Sequence, residues 1–179
     1  MTKALQSLES FEALDGVVGF VSEKWRGVLG ESPSLKHLLS GAPIGHPLHP
    51  VLSDVPIGTW TSALLLDIVG GRDSEDSADL LVLVGLLAAG PTALSGWSDW
   101  SDAEPSSKPI GRVGLVHAVT NATAIGLFGA SLVARRTGDR SKGKRLGLVA
   151  GGVLAAGGYL GGHLTYVQGT RVETASPAA

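Results

Sequence analysis

The sequence predicts an all-α protein, a four-helix transmembrane bundle preceded by an amphipathic helix, and three observations predict it. The 179-residue chain is 44% apolar and only 17% charged, with 26 glycines and a mean hydropathy of +0.25, whereas soluble domains run at about 25% charged and roughly 7% glycine. Uncharged stretches reach the length that crosses a bilayer. Only the first part of the chain shows a charged face at helical spacing.

That first part, residues 1–40, places Leu8, Phe11, Leu14, Val18, Val21 and Trp25 at three- and four-residue steps with Glu9, Glu12, Glu23, Lys24 and Arg26 between them. Such a helix lies in the membrane interface or packs on the bundle. The membrane domain, residues 41–170, follows. About 20 apolar residues cross about 30 Å of hydrocarbon, and Leu80–Ser98, Val113–Ala134 and Leu146–Thr170 contain no Asp, Glu, Lys or Arg. Pro50–Val69 is the fourth span and carries Asp54 and Asp67; a carboxylate is kept inside a membrane where it faces a bundle interior or a wet cavity. Residues 171–179 read as a disordered tail.

Basic residues set the orientation. The connection Arg135–Arg145 holds six Lys/Arg and one Asp, which places it in the cytoplasm and both termini outside. The chain is therefore expected in the cell membrane as a multi-pass protein in contact with the lipid bilayer. The absence of cysteine excludes a disulfide framework and any thiolate-held zinc or iron–sulfur centre of its own. A net charge of −2 and a pI near 6.2 argue against a nucleic-acid partner. No HExxH, P-loop or GxSxG motif supports a hydrolase or a nucleotide-driven machine, and whether the chain is an enzyme stays open.

Four of the five histidines converge on the outer half of the bundle. His46 and His49 sit in GlyHisProLeuHisPro before the first span, His117 about one turn inside the third, and His163 about two turns inside the fourth. Asp54, Asp99, Asp102 and Asn121 map to the same half. Two imidazoles on facing helices suit haem b, with His117 and His163 as axial ligands and Gly158, Gly161 and Gly162 giving a porphyrin room. His46, His49 and Asp54 offer nitrogen and oxygen ligands to another transition metal. Beside these stand plainer roles: Pro50 as a helix initiator, Trp97 and Trp100 as an interfacial belt, and histidine hydrogen bonds that join helices. The leading expectation is a redox protein that exchanges electrons with a quinone or an iron–sulfur partner. The alternative is a scaffold or interaction subunit of a larger complex, and a third reading makes the His46, His49 and Asp54 cluster the entry site of a small transporter.

The segments IleGlyHisProLeuHisProValLeuSerAspValProIleGly (Ile44–Gly58), SerGlyTrpSerAspTrp, GlyLeuValHisAlaValThrAsn (Gly114–Asn121) and GlyGlyTyrLeuGlyGlyHisLeuThrTyr (Gly157–Tyr166) resemble the bacterial membrane family called domain of unknown function 2231, over about residues 38 to 168. The resemblance implies a compact four-helix membrane protein of unassigned activity. Some relatives are joined to Rieske-type iron–sulfur domains, so it also implies a Rieske-type or other redox partner.

Overall fold

The computed structural model describes residues 2–171, and the described residues form seven α-helices joined by short turns and no strand. All but the first residue of the expected tail lie outside the described residues.

Three short helices come first: α1 (Lys3–Glu9), α2 (Asp15–Gly30) and α3 (Pro33–Leu39). The single amphipathic helix read from the sequence is thus broken twice. Ser10 and the turn at Glu12–Leu14 separate α1 from α2, and Pro33 starts α3 at the position where a missing N–H is harmless. Of the expected apolar stripe, Val18 is buried and Phe11 is exposed. The helices cap one end of the molecule, where Val18, Trp100 and Leu115 form a small core.

Four long helices follow: α4 (Leu48–Val69), α5 (Glu75–Ala103), α6 (Lys108–Arg136) and α7 (Arg140–Tyr166). Each packs on its chain neighbour, and α7 packs back on α4. The segments that contain α5, α6 and α7 are long and apolar enough to cross a membrane. The shorter α4, 22 residues, interrupts its apolar run with Asp54 and Asp67. Midway along the helices Trp60 stacks on Phe128, with ring centroids 4.3 Å apart, and donates its Nε1–H to the Val82 carbonyl at 3.2 Å. Gly85 on α5 has no side chain because the Trp60 ring occupies that space.

At the end away from the cap, the basic segment Arg135–Arg145 is not a free loop. Helix α6 runs to Arg136, and α7 starts at Arg140 behind an Asp139 N-cap that accepts from the Lys142 N–H at 3.0 Å. Arg135 turns inward, where Asp67 holds it through both carboxylate oxygens and Asp79 accepts a further bond at 3.2 Å. Arg140 also reaches Asp79, at 3.1 Å. One cation layer therefore joins α4, α5, α6 and α7.

A candidate histidine site under the cap

Positive φ angles at Gly41 and Gly45, 79° and 71°, fold the chain tightly into GlyHisProLeuHisPro. His46 remains exposed on this entry, whereas His49, the second residue of α4, points at α5 and donates its Nδ1–H to the Thr92 carbonyl at 2.9 Å. A carbonyl can only accept, so Nδ1 of His49 carries a hydrogen. Pro56 helps to build this contact. It supplies no N–H to the Leu52 carbonyl one turn back, and the Thr92 hydroxyl, which lies 2.8 Å from the Ala88 carbonyl of its own helix, is shared with that oxygen at 3.2 Å.

His117 on α6 repeats the arrangement. Its Nδ1–H donates to the Gly157 carbonyl on α7 at 2.9 Å. Asn121, one turn on, donates to the His117 carbonyl at 2.9 Å. Its Nδ2 stands nearly equidistant from the two ring nitrogens, 3.3 and 3.2 Å, in line with neither lone pair. The His49 and His117 rings meet edge to face, with centroids 6.5 Å apart. Glycines seat both rings: a Cβ would stand 2.8 Å from His49 Cε1 at Gly96, and 2.9 Å from His117 Cε1 at Gly161.

The structure thus brings His117 together with His49 rather than with His163. His163 is buried, but its Nε2 lies 2.8 Å from Glu9 of α1, which also accepts from Gln168 at 2.7 Å. Asp54 is exposed on the far side of α4 and does not join His46 and His49. Among the described residues no three His, Cys, Asp or Glu side chains stand together as a metal-ion cage. The histidine pair would supply a metal atom with two protein ligands. With metal–nitrogen bonds about 2.0 Å long, the centres of two imidazoles on one atom stand roughly 4.5 Å apart at a right angle and about 6.3 Å apart when opposed, so the observed 6.5 Å matches only the opposed arrangement. A Nδ1–H held by a carbonyl is also the usual support of a metal-bound histidine.

Ion pairs close the site from above. Arg112, 7% exposed, binds both Asp15 oxygens of α2 at 2.7 and 2.9 Å and the Glu9 carbonyl at 2.7 Å. Lys36 of α3 reaches Asp102 at 2.6 Å, and Arg171 binds Asp99 at 2.7 Å and Asp102 at 2.9 Å. The Arg112 hydrogen bond holds Asp15 below the usual carboxylate range, and the His163 hydrogen bond does the same for Glu9. Sequence reasoning did not pick out Arg112, Arg135, Glu9 or Thr92. The one available signal was an arginine beside an otherwise uncharged span, at Arg112 and at Arg135.

Long apolar antiparallel helices with charged layers at both ends define an all-α membrane protein. The chain belongs to the family described as predicted membrane protein (DUF2231), which matches residues 45–174. No curated protein and no solved structure matches it.

Proposed function

We propose that this DUF2231 chain is a four-span redox protein of the cell membrane, with its cap on the non-cytoplasmic side, that holds haem b between His49 and His117. One observation carries the reading: both imidazoles give Nδ1–H to a backbone carbonyl at 2.9 Å, and their ring centroids stand 6.5 Å apart. Haem suits a pair better than zinc does, since a porphyrin supplies four of the iron's ligands and catalytic zinc takes three from protein. Bound haem supplies one-electron chemistry, with a quinone or a Rieske-type protein as the natural class of exchange partner. Other transition metals are the secondary case.

A reduced-minus-oxidised spectrum of protein purified from haem-replete cells tests this. A Soret band that disappears in both His49→Gln and His117→Gln but survives in His163→Gln is the expected result. No Soret band in the parent chain removes the haem reading, and metal analysis of the same samples decides whether another ion takes its place. The scaffold reading draws on the same hydrogen bonds, because His49 ties α4 to α5 and His117 ties α6 to α7. It predicts that both His→Gln variants lose stability with no metal or haem in any sample.

A further inference from the structure

At the cap end of α7 an apolar cavity of about 370 Å³ lies between α7 and α1, lined by Leu5, Tyr159, Gly162, His163 and Val167. Pockets that hold one organic molecule run from about 300 to 1,000 Å³ and combine apolar walls with a few placed polar groups. His163 is the placed polar group here: the residue is 5% exposed, and its Nε2 is anchored on Glu9 at 2.8 Å. Its Nδ1 has no hydrogen-bond partner among the described residues. Nor is that nitrogen sealed, since the sealed side-chain atoms without a partner belong to Trp25, Trp100, Arg140, Gln168 and Thr170. It therefore opens onto the cavity that His163 lines.

The pair sets what the cavity can hold. Glu9 is fixed by two further bonds, from Gln168 to its carboxylate at 2.7 Å and from Arg112 to its main-chain carbonyl at 2.7 Å, and a carboxylate so anchored orients the imidazole beside it. Because a carboxylate can only accept, His163 Nε2 carries a hydrogen. With a lone pair Nδ1 accepts from a hydroxyl, and with a second hydrogen it donates to a carbonyl, so each protonation state of the ring has its ligand. An ion is a poor occupant: an anion faces the Glu9 charge, and any ion leaves water for apolar walls. A neutral ring that bears a hydroxyl in one form and a carbonyl in the other suits both the walls and the imidazole.

We infer that this cavity binds the ring of a membrane quinone or quinol, with one ring oxygen on His163 Nδ1. The choice of a quinone among neutral rings rests on the redox reading above. Position agrees with it. Gly161, where a Cβ would stand 2.9 Å from the His117 ring, is two residues before His163, and two residues turn a helix by about 200°. His117 and His163 therefore lie on opposite sides of α7, separated by one helix diameter, roughly 10–12 Å. Gly162 leaves the quinone its room, because a Cβ there would meet Tyr166 at 3.8 Å and nothing nearer.

An azido-substituted short-chain quinone, photolysed with the full chain in lipid bilayers, tests this. The expected result is label on Leu5 or within residues 159–167, displaced by an unlabelled decyl-quinone and not by dodecanol. His163→Phe should reduce the labelling about ten-fold, the loss of one hydrogen bond. Gly162→Leu should do the same by filling the cavity, while leaving the His163 contact to Glu9 in place. Gly152→Leu, at another exposed glycine of α7 where a Cβ meets nothing within 4 Å, should leave the labelling unchanged. Label elsewhere, equal displacement by dodecanol, or undiminished labelling in either cavity variant overturns the site. The label is read whether or not haem is present, so the two failures separate. A Soret band without label in the cavity overturns the site alone, and label in the cavity without a Soret band supports the site while removing the haem reading.

Discussion

Arg135 on α6 and Asp67 on α4 form a two-point ion pair in which the side chains are 0% and 3% exposed. Removing one partner of a buried pair leaves an uncompensated charge and costs about 3–5 kcal/mol, whereas replacing both with apolar groups is often close to neutral. Arg135→Met should therefore destabilise the protein strongly, and Arg135→Met with Asp67→Leu should recover much of the loss. Thermal unfolding in detergent measures both, and a double variant no better than the single one contradicts the pairing.

Gly161 and Gly158 make a matched comparison on one helix. A Cβ at Gly161 would stand 2.9 Å from the His117 ring, and at Gly158 it would meet nothing within 4 Å. Gly158→Ala should be neutral or slightly stabilising, by up to about 1 kcal/mol from helix propensity. Gly161→Ala should lose about 1–3 kcal/mol to overpacking. It should also shift the absorbance of any bound haem. Equal melting temperatures for the two would show that the His117 ring is not packed on α7.

Thr92 and Pro56 should be energetically coupled. The Thr92 hydroxyl is shared between the Ala88 carbonyl and the Leu52 carbonyl, and Pro56 leaves the latter without its helical donor. Thr92→Val should cost about 0.5–1.5 kcal/mol by removing the one hydroxyl that reaches that carbonyl. In a Pro56→Ala background, where the restored N–H bonds Leu52, the same change should cost clearly less. Additive effects in a double-mutant cycle would show that the Thr92 bond does not depend on the proline.

Acid should loosen the cap. Asp15 and Glu9 both sit below the usual carboxylate range, through hydrogen bonds from Arg112 and His163 respectively. Depressed carboxylates contribute stability that is fully present above their unfolded values, about 4, and is lost as pH falls through the lower folded ones. The cap should hold unchanged from pH 8 to pH 5 and detach below about pH 4. Trp25 on α2 lies 6.3 Å from Trp97, so tryptophan emission reports it. Asp15→Asn should weaken the cap at neutral pH; a transition near pH 6 would point to another group.

Orientation is open to a labelling test at two exposed serines, Ser106 at the cap end and Ser141 at the opposite end. A cysteine replacing Ser106 should react with an impermeant reagent in intact cells, and one replacing Ser141 only after permeabilisation. The reverse pattern inverts the topology.

Much of this architecture is legible in the sequence, because uncharged runs and their ends are one-dimensional signals. Leu80–Ser98 lies within α5 and Val113–Ala134 within α6, while Leu146–Thr170 runs past the end of α7 at Tyr166. Azimuth around a helix is a weaker signal. The uncharged runs place His117 and His163 at similar depth and so pair them, yet His117 lies nine residues into α6 and faces α4 and α7, whereas His163 lies three residues from the end of α7 and faces Glu9 of α1. The two carboxylates of α4 were visible, and at 100° per residue they fall on different faces. Only packing reveals that Asp67 meets an arginine and Asp54 does not. The Arg112–Asp15 contact joins residues far apart in the chain, and no local pattern announces it.

The layers at the two ends of α5 also constrain where this protein can reside. Most spanning helices adapt to a thicker or thinner bilayer by tilting, or by letting long side chains stretch toward water. Here Arg135 is locked between Asp67 and Asp79, and Arg112 is locked to Asp15 and the Glu9 carbonyl. Neither guanidinium is free to reach outward. The lipid has to do the adjusting instead, by stretching or compressing around a rigid insert. That strain grows with each ångström of mismatch and favours membranes of the matching thickness. Reconstitution into bilayers of graded acyl length should therefore show a sharp stability optimum.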